Sequence, residues 1–160
     1  MDAELIALAT QLGQHLTANG SMIATAESCT GGGIAYTLTE IAGSSRWFDR
    51  GFVTYSNLSK VQMLAVKPDT LEKQGAVSAE VALEMVRGAL VHSTADCAVA
   101  VTGIAGPDGG SVEKPIGTVF IAWCYKNAAA TVIRKQFIGN RHQIRTQTIK
   151  TALEGLLLQR

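Results

Sequence analysis

The chain has 160 residues, 47% of them apolar and 17% charged, with a formal net charge of +1. That length suits one domain, residues 1–160, able to bury roughly 70% of the surface its unfolded chain exposes. The near-neutral balance lacks the basic footprint of a dedicated nucleic-acid binder, and no apolar run approaches the ~20 residues of a membrane helix, so neither nucleic acid nor a membrane is an expected partner.

Residues 2–18 carry Leu5, Ile6, Leu8, Ala9, Leu12 and Leu16 on one helical face, ending near Asn19-Gly20. Met22-Ile23-Ala24 reads as a short strand leading into Thr25-Ala26-Glu27-Ser28-Cys29-Thr30-Gly31-Gly32-Gly33, after which residues 34–41 return to helical spacing. The junction is therefore a strand end, a tight turn and a helix start. Gly43-Ser44-Ser45 breaks the pattern, and Trp47-Phe48 leads the chain back into the core. Residues 51–55 predict a second strand running straight into a short helix over 56–64, with Ser56 or Asn57 as its N-cap.

A short, partly helical link follows Pro68 and reaches Gly75-Ala76-Val77. Ser78 caps a longer helix to about His92, with Val81, Ala82, Met85, Val86 and Leu90 on its apolar side. Cys97-Ala98-Val99-Ala100-Val101 is an unbroken apolar run of strand length, the pattern of a strand covered on both faces. Beyond Thr102 lies a glycine-rich loop, Gly103-Ile104-Ala105-Gly106-Pro107-Asp108-Gly109-Gly110. Residues 118–125 and 130–138 predict a hairpin about Lys126-Asn127, and a last helix spans 141–158. The alternation of helix and strand, closed by a hairpin, predicts an α/β fold: a three-layer α/β/α sandwich around a mixed, mostly parallel β-sheet.

Ligands of open α/β sheets bind beyond the carboxyl ends of the strands. Three such ends carry polar groups here: Glu27-Ser28-Cys29, Tyr55-Ser56-Asn57 and Thr102-Gly103. Parallel neighbouring strands would bring them to one crevice. Lys60 falls one turn into the helix after Tyr55, where the positive end of the helix dipole, together with burial, lowers a lysine pKa from its usual ~10.4. A neutral lysine can serve a serine hydroxyl as general base; the competing reading is an exposed lysine on a surface helix.

His15, His92 and His142 all lie on predicted helices, so a Ser-His-Asp triad is not expected at the opening turn. Arg141 and Arg145 share a helix face and could clamp a phosphate, or simply be solvated. The three cysteines, Cys29, Cys97 and Cys124, are widely spaced and odd in number, which supports neither a disulfide framework nor a zinc site. No metal and no cofactor is expected, and without a leader segment the expected compartment is the reducing cytoplasm.

Taken in order, Thr25-Ala26-Glu27-Ser28-Cys29-Thr30-Gly31-Gly32, Val53-Thr54-Tyr55-Ser56-Asn57 with Lys60, and the Gly103-Ile104-Ala105-Gly106-Pro107-Asp108-Gly109-Gly110 loop closely resemble the CinA C-terminal domain family in its stand-alone form. Ile41-Ala42-Gly43-Ser44-Ser45 and Gly139-Asn140-Arg141 resemble it as well, although the family usually has aspartate where Asn140 stands. The resemblance covers nearly the whole chain.

What it implies is an amidohydrolase that converts nicotinamide mononucleotide to nicotinate mononucleotide and ammonia in pyridine nucleotide salvage. The family's serine–lysine pair maps onto Ser28 and Lys60, with its tyrosine on Tyr55. Cys29, Thr30, Gly31, Gly32, Ser45, Thr102, Gly103, Arg141 and Arg145 are the expected substrate-binding positions, and a homodimer is the expected assembly. The alternative is a non-catalytic nucleotide-sensing or partner-binding module of competence or DNA-damage responses. Between the adjacent nucleophiles, a lysine base favours Ser28 in the crevice, with Cys29 packed behind it as a small apolar filler.

Overall fold

A computed structural model describes residues 1–159. Helix α1 (Ala3–Asn19) starts where the Asp2 side chain accepts the Glu4 N–H and stops at Gly20, whose left-handed backbone returns its N–H to the carbonyls of Leu16 and Thr17. Then come β1 (Ile23–Glu27), α2 (Gly33–Thr39), a 3₁₀ turn (Ser44–Arg46), β2 (Phe48–Val53) and α3 (Asn57–Leu64). They are followed by α4 (Pro68–Gln74), α5 (Ala79–Val91), β3 (Cys97–Gly103), β4 (Thr118–Tyr125), β5 (Thr131–Gln136) and α6 (Arg141–Leu158). Ser56 is the N-cap of α3, and Ser78 that of α5.

The sheet runs β2-β1-β3-β4-β5. β1 is parallel to both β2 and β3, while β4 is antiparallel to β3 and β5. Side-chain alternation divides the core in two. Ile23, Val99, Val101, Ile121 and Trp123 pack with Leu12, Leu16, Ile34, Leu38, Ile144 and Leu153, from α1, α2 and α6, on one face. On the other, Ala24, Ala26, Ala98, Ala100 and Ala122 meet Leu64, Val81, Met85 and Val86, from α3 and α5. This is the expected α/β/α sandwich. The alanine-lined face admits a close helix: at Gly88 of α5 an added Cβ would lie 2.1 Å from the Leu64 carbonyl oxygen, so only glycine fits.

Several boundaries differ from the sequence expectation. β2 begins at Phe48, not Gly51, because Phe48 and Arg50 already pair with Ile23 and Ala24 of β1, and it ends at Val53, not Tyr55. The link after Pro68 is a full helix, with the proline in its first turn, where no N–H is needed. Among the described residues no helix is long and apolar enough to cross a membrane.

Candidate active site

The carboxyl ends of β1, β2 and β3 open into a cavity of about 290 Å³ lined by Ser28, Tyr55, Lys60, Thr102, Asp108 and Arg141 among others. Ser28 follows directly on β1, its N–H held by the Val101 carbonyl of the neighbouring strand at 3.1 Å. The turn beyond it closes when the Gly31 N–H reaches the Ser28 carbonyl at 3.0 Å, with Gly31 and Gly32 at φ values of +57° and +97° that favour glycine.

Glu27 anchors this turn from below. Its carboxylate accepts the Thr30 hydroxyl at 2.6 Å and the N–H groups of Ile34 and Ala35 at 2.7 and 3.0 Å. The first turn of α2 is thus occupied by a carboxylate of the chain itself. Burial pushes the Glu27 pKa up, against those hydrogen bonds. With every oxygen engaged and no exposed surface, Glu27 is a structural staple.

Lys60 is only 1% exposed. Its Nζ lies 2.9 Å from Ser28 Oγ and donates to the Thr54 carbonyl at 2.7 Å. Burial lowers its pKa, and among the described residues no carboxylate pairs with it. The alternative of a solvated surface lysine is therefore excluded by its position. Cys29 lines the cavity too, but burial pushes its thiol up to about 12, so it is protonated at neutral pH. None of the three histidines lines the cavity.

Tyr55 and Arg141 form the mouth. Arg141 donates to the Tyr55 hydroxyl and to the Gly106 carbonyl, both at 2.8 Å, and so links the α3 entry, the glycine-rich loop and the start of α6. The Thr102 hydroxyl is turned to the Ala76 carbonyl at 2.8 Å and ties β3 to the segment before α5.

Seven of the twelve expected positions meet here: Ser28, Cys29, Tyr55, Lys60, Thr102, Gly103 and Arg141. Thr30, Gly31 and Gly32 lie behind them in the turn. Ser45 does not join them: it sits on the 3₁₀ turn that leads into β2, at the opposite end of the strand from the cavity. Arg145 is not at the cavity either; its guanidinium holds the carbonyls of Cys29 and Thr30 at 3.2 and 2.9 Å. Ala76 and Val77 line the wall unforeseen, since small apolar residues in a link carry no chemical signal; Asn57, from the polar stretch Tyr55-Ser56-Asn57, lines it too. Among the described residues no cluster of His, Cys, Asp and Glu could hold a metal ion.

A buried hydroxyl–amine pair in a small-molecule cavity at the ends of parallel strands defines an enzyme of the α/β-sandwich class. Residues 5–159 match the family model described as the CinA C-terminal domain, and the chain belongs to that family. It is 51% identical over 158 residues to the nicotinamide-nucleotide amidohydrolase PncC of Escherichia coli strain K12, covering 99% of this chain and 96% of that one. With the protein of the same name from Pseudomonas putida it shares 52% over 150 residues, or 94% and 93% of the two chains. The crystal structure of the competence/damage inducible protein CihA from Agrobacterium tumefaciens superimposes with a TM-score of 0.97 at 49% identity, covering 99% and 96%.

Proposed function

We propose that this enzyme hydrolyses the carboxamide of nicotinamide mononucleotide, giving nicotinate mononucleotide and ammonia, with Ser28 as nucleophile and Lys60 as its base. The observation that carries the mechanism is the Lys60 Nζ, buried and, among the described residues, without a carboxylate partner, 2.9 Å from Ser28 Oγ. The substrate rests on the names of the relatives, about half identical over nearly their full length.

An amine kept neutral by burial has a lone pair to accept the Ser28 hydroxyl proton, while one of its own hydrogens stays on the Thr54 carbonyl. Ser28 Oγ attacks the carboxamide carbon, and the carbonyl oxygen becomes an oxyanion held by backbone N–H groups of the turn after Ser28. The C–N bond then breaks, Lys60 returns the proton to the departing nitrogen, and ammonia leaves an acyl-Ser28. A water molecule repeats the sequence: Lys60 takes its proton, the hydroxide adds to the ester carbon, and Ser28 leaves reprotonated by Lys60. Tyr55, whose oxygen accepts from Arg141, keeps its own hydrogen for the substrate at the mouth. Arg141, the cationic side chain at that mouth, supports binding of the phosphate.

The setting we propose is pyridine nucleotide salvage in the cytoplasm by a homodimer. Ile138 and Leu158, exposed at 86% and 82%, support self-association. The test is ammonia release from nicotinamide mononucleotide, with nicotinamide, its riboside and glutamine in parallel. Turnover of the mononucleotide above the other three is expected; ammonia from glutamine alone would give the site a different substrate.

A further inference from the structure

We infer that Arg145 is a positioning residue for the oxyanion: its guanidinium fixes two successive peptide planes behind Ser28, so that the turn stays closed and the uncommitted Thr30 N–H is turned away from the arginine toward the reacting carbonyl. This rests on the reading of Ser28 as an acyl-transfer nucleophile.

Of the backbone N–H groups between residues 28 and 35, all but two have an oxygen acceptor within the protein. Ser28 gives its N–H to Val101, Gly31 to Ser28, and Gly33 to Thr30. Ile34 and Ala35 give theirs to the Glu27 carboxylate, toward which the Gly32 N–H is also directed. Only Cys29 and Thr30 remain: among the described residues no oxygen of the protein takes their N–H groups, that of Cys29 leaning only on its own sulfur. They are the two residues directly after the nucleophile, both buried. Buried N–H groups are rarely left without an acceptor, and here the acceptor still missing is an anion at the reacting centre.

Arg145 sets where the second of these groups points; the Cys29 N–H lies on the preceding peptide plane, whose Ser28 carbonyl accepts the Gly31 N–H. A peptide unit is planar and trans, so its N–H runs opposite to its C=O. The Cys29 carbonyl accepts from Arg145 Nε at 3.2 Å, which sends the Thr30 N–H away from the arginine. The next carbonyl, that of Thr30, accepts from Nη2 at 2.9 Å, which turns the Gly31 N–H back to Ser28 and closes the turn. A guanidinium is suited to the task because its rigid fork spans two acceptors and its charge is permanent. That charge also raises the positive potential where the oxyanion forms. Arg141, four residues earlier on α6, faces the cavity mouth instead, so two arginines with the spacing of a clamp serve different surfaces.

The experiment compares wild type with Arg145→Ala and Arg145→Lys in the full chain. A fluorophosphonate, whose P=O takes the oxyanion's place, reports the rate of Ser28 modification by mass spectrometry and needs no nucleotide. Arg145→Ala is expected to slow labelling about 10²-fold, the loss typical of one oxyanion donor, with Arg145→Lys between the two because one carbonyl contact survives. With nicotinamide mononucleotide the same variants should lose kcat by a similar factor and keep KM within about twofold. The midpoint of the pH–rate profile should stay in place because the contacts of Lys60 are untouched, whereas general loosening of the site would move it. Labelling at the wild-type rate in a folded Arg145→Ala protein would overturn the inference. So would a tenfold rise in KM at unchanged kcat, which would make Arg145 a phosphate ligand. Wild type that is labelled but releases no ammonia from the mononucleotide would overturn the proposed substrate alone, and the labelling ratio would still decide the role of Arg145.

Discussion

Lys60 is the side chain whose replacement probes the proposed chemistry most directly. Lys60→Met keeps an unbranched apolar stem in a site that is 1% exposed and removes the nitrogen 2.9 Å from Ser28 Oγ. General base catalysis is worth about 10²–10⁴-fold, or about 2.7–5.4 kcal/mol of barrier, so turnover should fall by that factor. Lys60→Arg should fall as far although the positive charge is retained, since guanidinium does not deprotonate in the working range. In wild type, kcat/KM should rise with pH to a midpoint below the usual lysine value of ~10.4, because burial lowers the pKa of Lys60.

The same shift has a consequence for stability whose sign is fixed. A lysine with a depressed folded pKa binds its proton more tightly in the unfolded chain, so wild-type stability rises with pH between the folded value and ~10.4. The contribution is complete above the unfolded pKa and is lost as pH falls through the folded one. Measured by denaturant unfolding at several pH values, wild type should gain on Lys60→Met by up to about 1.4 kcal/mol per pH unit within that window. An arginine variant with near-normal turnover, or parallel stability curves for wild type and Lys60→Met, would refute the assignment of a neutral amine.

Three further outcomes are expected. A charge-assisted phosphate contact contributes about 1.5–3 kcal/mol, so kcat/KM for nicotinamide mononucleotide should exceed that for its riboside by roughly 10- to 150-fold; Arg141→Ala should erase most of the preference, and equal constants in wild type would remove the phosphate site. Ser28→Ala should lose at least ~10³-fold in turnover and Cys29→Ala should stay active, while thiol-alkylating reagents should inhibit wild type weakly or not at all because the Cys29 thiol is buried and pushed up to about 12; the reverse pattern would make this a cysteine amidase. Glu27→Gln sets an NH₂ group against backbone donors that now point at a carboxylate, which should cost about 1–3 kcal/mol in a thermal or denaturant melt, and an unchanged melt would show that the staple is idle.

The parts of this fold most legible in the sequence are those whose signals are local. The apolar run at residues 97–101 announced a strand covered on both faces, and β3 has valines toward α1 and α6 and alanines toward α5. Ser28 and Lys60 stood out because a hydroxyl after a strand and a lysine early in a helix are locally conspicuous. Their approach to 2.9 Å depends on how α3 leaves β2, which no local pattern encodes. The i,i+4 spacing of Arg141 and Arg145 gave their shared helix face but not their neighbours, and the structure gives one of them the cavity mouth and the other the underside of the turn. Ser45 rested on a motif alone, and it lies at the far end of β2 because that motif precedes the strand instead of ending it. Glu27 was visible from the start, but only the register of α2 above it separates a capping carboxylate from a catalytic one.

The order β2-β1-β3 explains why the base and Arg145 reach the nucleophile from opposite layers. The chain leaves β1 to one side through α2 and reaches β2, then returns across β1 through α3, α4 and α5 to β3 on the other side. Right-handed crossovers taken in opposite directions land their helices on opposite faces of the sheet. At the carboxyl end of β1 the two connections diverge and leave a crevice that neither covers. Ser28 stands at that switch point as the first residue past β1. α3, packed on one face, supplies Lys60 from one side, and α6, packed on the other, supplies Arg145 from behind. A base delivered this way stays buried because the Thr54 carbonyl, at the very end of β2, takes one of its hydrogens inside the layer. A single amine with one carbonyl partner fits that space, and its burial lowers its pKa.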